Sequence, residues 1–162
     1  MKKIFLAVIA LITLIACDKK ETVEGANVHI TGNVEGLSQG KLYLQKIEDT
    51  TLVIIDSIQI NGDSKFESHI KLDSPEMLYL ALDRGQTNSI DNSLPFFAEP
   101  GNITIETTLK HFFADAKVKG SKNHDLWIEF KKINDRFNDE NLVLMEKRLQ
   151  NELKPNPTTT DS

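Results

Sequence analysis

The side chains that could do chemistry are few and scattered. The four histidines stand at His29, His69, His111 and His124, and no interval between them brings two onto one face of a helix. His111 and Asp115, four residues apart, form the nearest pair for acid–base or metal work. A zinc site needs three or four convergent ligands, and the sequence offers no third beside them. Ser57 and Ser121 lack the Gly-x-Ser-x-Gly elbow that exposes a nucleophile, and neither has an evident histidine partner. Gly120-Ser121-Lys122 lacks the preceding glycine spacing of a phosphate loop and reads more simply as a strand end followed by a helix cap, which Ser121 or Asn123 can supply. Asp139 and Glu140 fall in a polar run that reads as solvated surface. The expectation from these residues is no enzyme, no metal and no cofactor.

The single thiol has a different reading. Cys17 follows Leu14-Ile15-Ala16 at the end of an apolar run that begins after Met1-Lys2-Lys3. A basic start, an apolar stretch and a small residue before the cut have the shape of an export signal. Leu-Ile-Ala-Cys resembles the bacterial lipobox, in which the Cys thiol takes a diacylglycerol before cleavage. Residues 1–16 are then a lipoprotein signal peptide and Cys17 the lipid-attachment site, with a membrane as the first partner. The simpler alternatives are a secretory signal that happens to end in Cys, or an uncleaved membrane helix. Only about a dozen apolar residues precede Cys17, whereas a span needs about twenty.

Removing 16 of the 162 residues leaves 146, enough for one domain with a hydrophobic core. Without Lys2 and Lys3 the balance is 17 basic against 24 acidic residues, which argues against nucleic acid and anionic lipid surfaces as partners. With Cys17 lipidated, stability must come from packing, since no thiol remains to form a disulfide.

The elements that must position any site follow from periodicity. Residues 17–26 are charged and read as a lipidated tether. Over 27–120 apolar residues alternate: Val28, Ile30 and Val34 share a face, Leu42 and Leu44 flank Tyr43, and Leu52, Ile54, Ile58 and Ile60 repeat around Asp56. Turn chemistry separates the runs at Gly36 to Gly40, Asn61-Gly62-Asp63, Asp73-Ser74-Pro75 and Glu99-Pro100-Gly101-Asn102. Asn61-Gly62 predicts a tight hairpin joining strand 51–60 to strand 65–71, and Asp83 to Asn92 reads as a loop. The fold class is therefore mainly β, an antiparallel β-sandwich or curved sheet of seven or eight strands, followed by a C-terminal helical segment over 121–154. Leu126, Phe130, Ile133 and Phe137 lie at helical spacing with Trp127 beside them, while Asn138 to Asn141 predicts a break or kink. That stripe is expected to pack on the sheet, with a partner of the helix as the alternative, because together with Leu144 and Leu149 it exceeds what a narrow core stripe requires. A frayed tail is expected over 155–162.

Several strings occur here in one order: Ile55-Asp56-Ser57-Ile58, Asn61-Gly62 with Lys65-Phe66, Pro75 before Met77-Leu78-Tyr79-Leu80, Phe96-Phe97-Ala98-Glu99-Pro100-Gly101-Asn102-Ile103, and Gly120-Ser121 before the helix. Together they resemble domain of unknown function 4369, a β-rich module of Bacteroidota lipoproteins, over roughly residues 27–125. In that family the module usually precedes a thioredoxin-like domain of the AhpC/TSA or TlpA-like type with a Cys-x-x-Cys. No Cys-x-x-Cys occurs here, so redox activity does not carry over. The matched residues read as structural: turn glycines, core phenylalanines, and Asp56 as a partner for backbone donors at a strand irregularity.

Two further signals concern the envelope. Asp49-Thr50-Thr51 and Asp56-Ser57-Ile58 look like the O-glycan acceptor motif of exported Bacteroidota proteins, which makes Thr50 and Ser57 candidate glycosylation sites. Asp18-Lys19-Lys20-Glu21 faintly resembles charged surface-export signals, with a solubilising tether as the simpler reading. The expectation is a lipid-anchored accessory or binding module of the cell envelope, at the outer membrane on its periplasmic or surface face, with an envelope protein or glycan as partner and its sheet face, the 83–92 loop and the helix as contact surfaces. The alternative is a truncated relative of a thiol–disulfide oxidoreductase that keeps only the N-terminal module.

Overall fold

The computed structural model describes residues 23–85 and 89–153. Cys17, the signal-peptide run and most of the tether lie outside the described residues, as does the tail after Leu153. Among the described residues eight strands precede one α-helix: β1 (Val28–Glu35), β2 (Gln39–Glu48), β3 (Thr51–Asn61), β4 (Lys65–Ile70), β5 (Glu76–Leu82), β6 (Ser93–Ala98), β7 (Gly101–Thr108), β8 (Lys117–Lys119) and α1 (Lys122–Glu152).

The strands form two four-stranded sheets, ordered β4-β1-β7-β8 and β3-β2-β5-β6. Alternating residues of both sheets meet in one core, with Ile30, Val34, Ile103 and Ile105 from the first and Leu42, Leu44, Leu80 and Phe96 from the second. Antiparallel pairing dominates, but β1 and β7 run parallel, with Val28 opposite Gly101 and Glu35 opposite Thr108. Pro95 is tolerated in β6 because that strand pairs only with β5, leaving an outer edge that needs no N–H from it.

The turn expected at Asn61-Gly62 is present, with Gly62 at φ +87, where a residue without Cβ is favoured. It does not close a hairpin. β3 and β4 belong to different sheets, and the turn carries the chain across the sandwich so that Lys65 pairs with Asn33 of β1. The periodicity of two marks the core-facing side of each strand but leaves the choice of neighbour open, and here Val34 N–H donates to Ser64 O and so draws the returning chain to β1.

The expected shared face of Leu52, Ile54, Ile58 and Ile60 is also corrected. The pairing of β2 with β3 shifts between Leu44 and Gln45, opposite Asp56 and Ile54, so Ile55 is an extra residue on the β3 side. One extra residue inverts the alternation beyond it: Ile58 and Ile60 are buried, while Leu52 and Ile54 are exposed with Ile47. Asp56 sits at this bulge. It accepts from its neighbour Ser57 N–H at 2.7 Å and from the buried Ser68 hydroxyl of β4 at 2.5 Å, tying the two sheets together.

α1 is one helix through Asn138–Asn141, so of the two expectations there, a break between two helices and a kink in one, the break does not occur. The segment contains neither glycine nor proline, so no residue forces an interruption, and polar residues continue a helix readily when they face water. Only its first turns rest on the sandwich, against the edge strands β6 and β8. The stripe expected to lie on the sheet does not reach it. Leu126, Phe130, Ile133 and Phe137 are all exposed.

Candidate functional site

Two loops from opposite sheets interlock at one end of the sandwich. The connection from β5 to β6 contains Asp83, Arg84 and a 3-10 turn at Ile90–Asn92, and the connection from β7 to β8 spans residues 109–116. The Arg84 guanidinium donates to Leu109 O, and Phe113 N–H donates to the Asp91 carboxylate at 3.1 Å. Phe112 is fully buried beneath them, its carbonyl accepting from the Thr107 hydroxyl at 2.7 Å. The base of the first loop is braced by Asp83, whose carboxylate accepts from Gly85 N–H and from the Tyr43 hydroxyl. These bonds, Gly85 first, hold its pKa below the ordinary carboxylate value.

His111 and Asp115 meet in this place. The imidazole Nδ1 lies 3.4 Å from Asp115 Oδ2, and the same oxygen accepts from the Thr108 hydroxyl at 2.8 Å, while His111 N–H donates to Thr108 Oγ at 3.1 Å. The pair therefore braces a tight turn, with the Thr108 hydroxyl donating to the carboxylate. Glu35, Gly36, Arg84, Thr108, Leu109, Lys110, His111 and Asp115 line an open groove of about 630 Å³ along the turn. Carboxylates, a guanidinium, an ammonium and an imidazole share its walls with apolar surface, which suits a ligand that carries groups of either sign on an apolar frame.

The other candidates are dispersed. Ser121 caps α1, accepting from His124 N–H at 3.0 Å, and is buried away from the groove. Thr50 is exposed in the two-residue turn between β2 and β3, beside Asp49 at φ +55. Ser57 is exposed on the edge strand β3. His29 and His69 stand opposite each other on β1 and β4, with their Nδ1 atoms 2.7 Å apart, so one ring donates to the other. No group of three or more His, Cys, Asp or Glu side chains is placed to hold a metal among the described residues.

Sequence reasoning marks the 83–92 loop but singles out neither Arg84 nor Glu99. Arg84 meets Leu109 across 25 positions, and no local pattern marks it. Glu99 lies in the turn between β6 and β7, and its carboxylate accepts from the backbone N–H of Lys122 and Asn123 and from the Asn123 side chain. Its signal is its place in the Glu-Pro-Gly-Asn string, which by sequence alone indicates only a turn. These bonds, led by that of the Asn123 side chain, lower the Glu99 pKa below the ordinary carboxylate value.

Of the ordered strings, Glu99 and Gly120-Ser121 meet at the start of α1, while Asp56 lies between the sheets. A family model described as Domain of unknown function (DUF4369) matches residues 28–127. The chain belongs to the DUF4369 family. No curated protein matches it. The DUF4369 match takes in all eight strands and stops at Trp127, whose ring meets Phe97 edge to face at a centroid distance of 6.1 Å. The DUF4369 unit therefore ends with the turns of α1 that touch the sandwich, and the exposed remainder of the helix lies beyond the match.

Proposed function

We propose that this DUF4369 protein is a lipid-anchored module of the bacterial cell envelope that binds a partner and performs no catalysis, with the interlocked loops as its binding surface. The observation that carries the reading is the groove at the sandwich end, where Arg84, Lys110, His111 and Glu35 line a wall held by bonds between the two sheets. A wall fixed in this way presents its charges without needing to be ordered on binding, which favours recognition. The fitting partner class is an extended segment of an envelope protein or glycan. The anchor rests on Leu14-Ile15-Ala16-Cys17. No described helix is long and apolar enough to cross a membrane.

The test is acyl labelling of the intact protein followed by crosslinking and pull-down from intact cells, with wild type, Cys17→Ala and Arg84→Glu compared. Labelling that requires Cys17, and a defined envelope partner lost in Arg84→Glu, support the proposal. An unlabelled wild type overturns the anchor, and a partner retained by Arg84→Glu moves the binding surface elsewhere.

A further inference from the structure

Beyond its first turns α1 is uncovered, and one stripe of it is apolar. Leu126, Phe130, Ile133 and Phe137 are 56%, 65%, 51% and 62% exposed. They recur at intervals of four, three and four residues, the spacing that places side chains along a single seam and that paired helices use. At 3.6 residues per turn the four fall within about 60° of one another, and about a third of a turn from His124, Trp127 and Lys131. Those three face the sandwich, so the seam faces away from it.

We propose that this seam is filled by the same seam of a second copy, running antiparallel, which makes the protein a symmetric dimer through residues 126–137. Leu126 then packs on the partner's Phe137, and Phe130 on the partner's Ile133, each contact occurring twice about the twofold axis. The charges beside the seam select both the second copy and its direction. Glu129 and Arg136 are exposed, lie on the same flank, and make no ion pair within the chain among the described residues. Antiparallel pairing sets Glu129 beside the partner's Arg136, and Arg136 beside the partner's Glu129. Parallel, in-register pairing sets them near the uncharged Asn134 and Asn141 and stacks Glu140 on the partner's Glu140. The antiparallel register instead keeps the two Glu140 side chains apart, each level with the partner's Asn123 at the start of α1. The two sandwiches are attached at opposite ends of the paired segment, about 30 Å apart along it.

The test is sedimentation velocity and light scattering on the full chain carrying Cys17→Ala, over a concentration series. The expected result is a reversible dimer. Glu129→Arg or Arg136→Glu alone weakens it by about tenfold, because attraction becomes repulsion in both symmetry-related pairs. The double exchange, Glu129→Arg with Arg136→Glu, restores it, and Phe130→Ser with helical circular dichroism retained leaves a monomer. A chain that stays monomeric up to about 200 μM overturns the proposal. So does a dimer that ignores Phe130→Ser, and one indifferent to the single charge reversals overturns the antiparallel direction.

Discussion

The Glu99 carboxylate lies 2.6 Å from the backbone nitrogen of Lys122, so the turn between β6 and β7 holds the first turn of α1. An anion at a helix N-terminus meets free N–H groups and the positive end of the helix dipole. Glu99→Ala should loosen the docking of α1 at a cost of about 1 kcal/mol. Trp127 is the only tryptophan, so its fluorescence in a urea titration reports the change directly. Because the folded pKa of Glu99 is lowered, this contribution is complete above its ordinary value of 4.5 and is lost as pH falls through the folded value.

His124 should impose a second, higher pH dependence. It is buried, its Nδ1 has no hydrogen-bond partner among the described residues, and burial lowers its pKa. Asp125 opposes that shift and Lys131 adds to it. The folded state therefore favours the neutral ring. Stability linked to His124 is complete above its ordinary value of 6.5 and declines as pH falls below that toward the lowered folded value. His124→Leu should remove this part of the slope in a comparison of unfolding midpoints between pH 7.5 and pH 5.5.

Gly120 should tolerate no side chain. Its φ is +91, and a Cβ there would lie 2.0 Å from the Asn102 carbonyl oxygen. That contact is with backbone, which cannot swing aside as a flexible side chain would. Gly120→Ala should destabilise the fold by about 2–4 kcal/mol through forced separation of β7 from the start of α1. Thermal unfolding checks the loss. Gly62→Ala provides the contrast, since it shares the positive φ but a Cβ there meets nothing within 4 Å.

Asp56→Ala should cost about 1–3 kcal/mol by leaving the buried Ser68 hydroxyl without its carboxylate acceptor. The double variant Asp56→Ala with Ser68→Ala should recover part of that loss, which a chemical-denaturation cycle measures. A loss equal to the sum of the two single effects would remove the Asp56–Ser68 bond as its cause.

The strands were readable wherever burial on one side dictates alternation, as in Val28–Val34 and Leu42–Leu44. Ser121 was readable as a helix cap because capping is a local bond to a residue three positions on. The bulge at Ile55 was not, because an extra residue leaves the composition of a strand unchanged while reversing the side on which Leu52 and Ile54 emerge. Nor was the destination of the chain after Gly62, since a turn specifies a reversal but not the sheet that receives it. Of the end groove, the His111–Asp115 pair was visible in the spacing. Its wall was not, because Arg84 joins it only through a distant backbone carbonyl.

The parallel pairing of β1 with β7 sets an order of events during folding. β1 lies between β4 and β7, so the strand that leaves the ribosome first keeps one row of backbone hydrogen-bonding groups unanswered until nearly the whole β-domain has followed. Val28 waits for Gly101 and Glu35 for Thr108. Contacts this distant in sequence slow folding and leave an open strand edge exposed to neighbouring chains in the meantime. The nascent protein should therefore depend on a holding chaperone for longer than its modest size suggests.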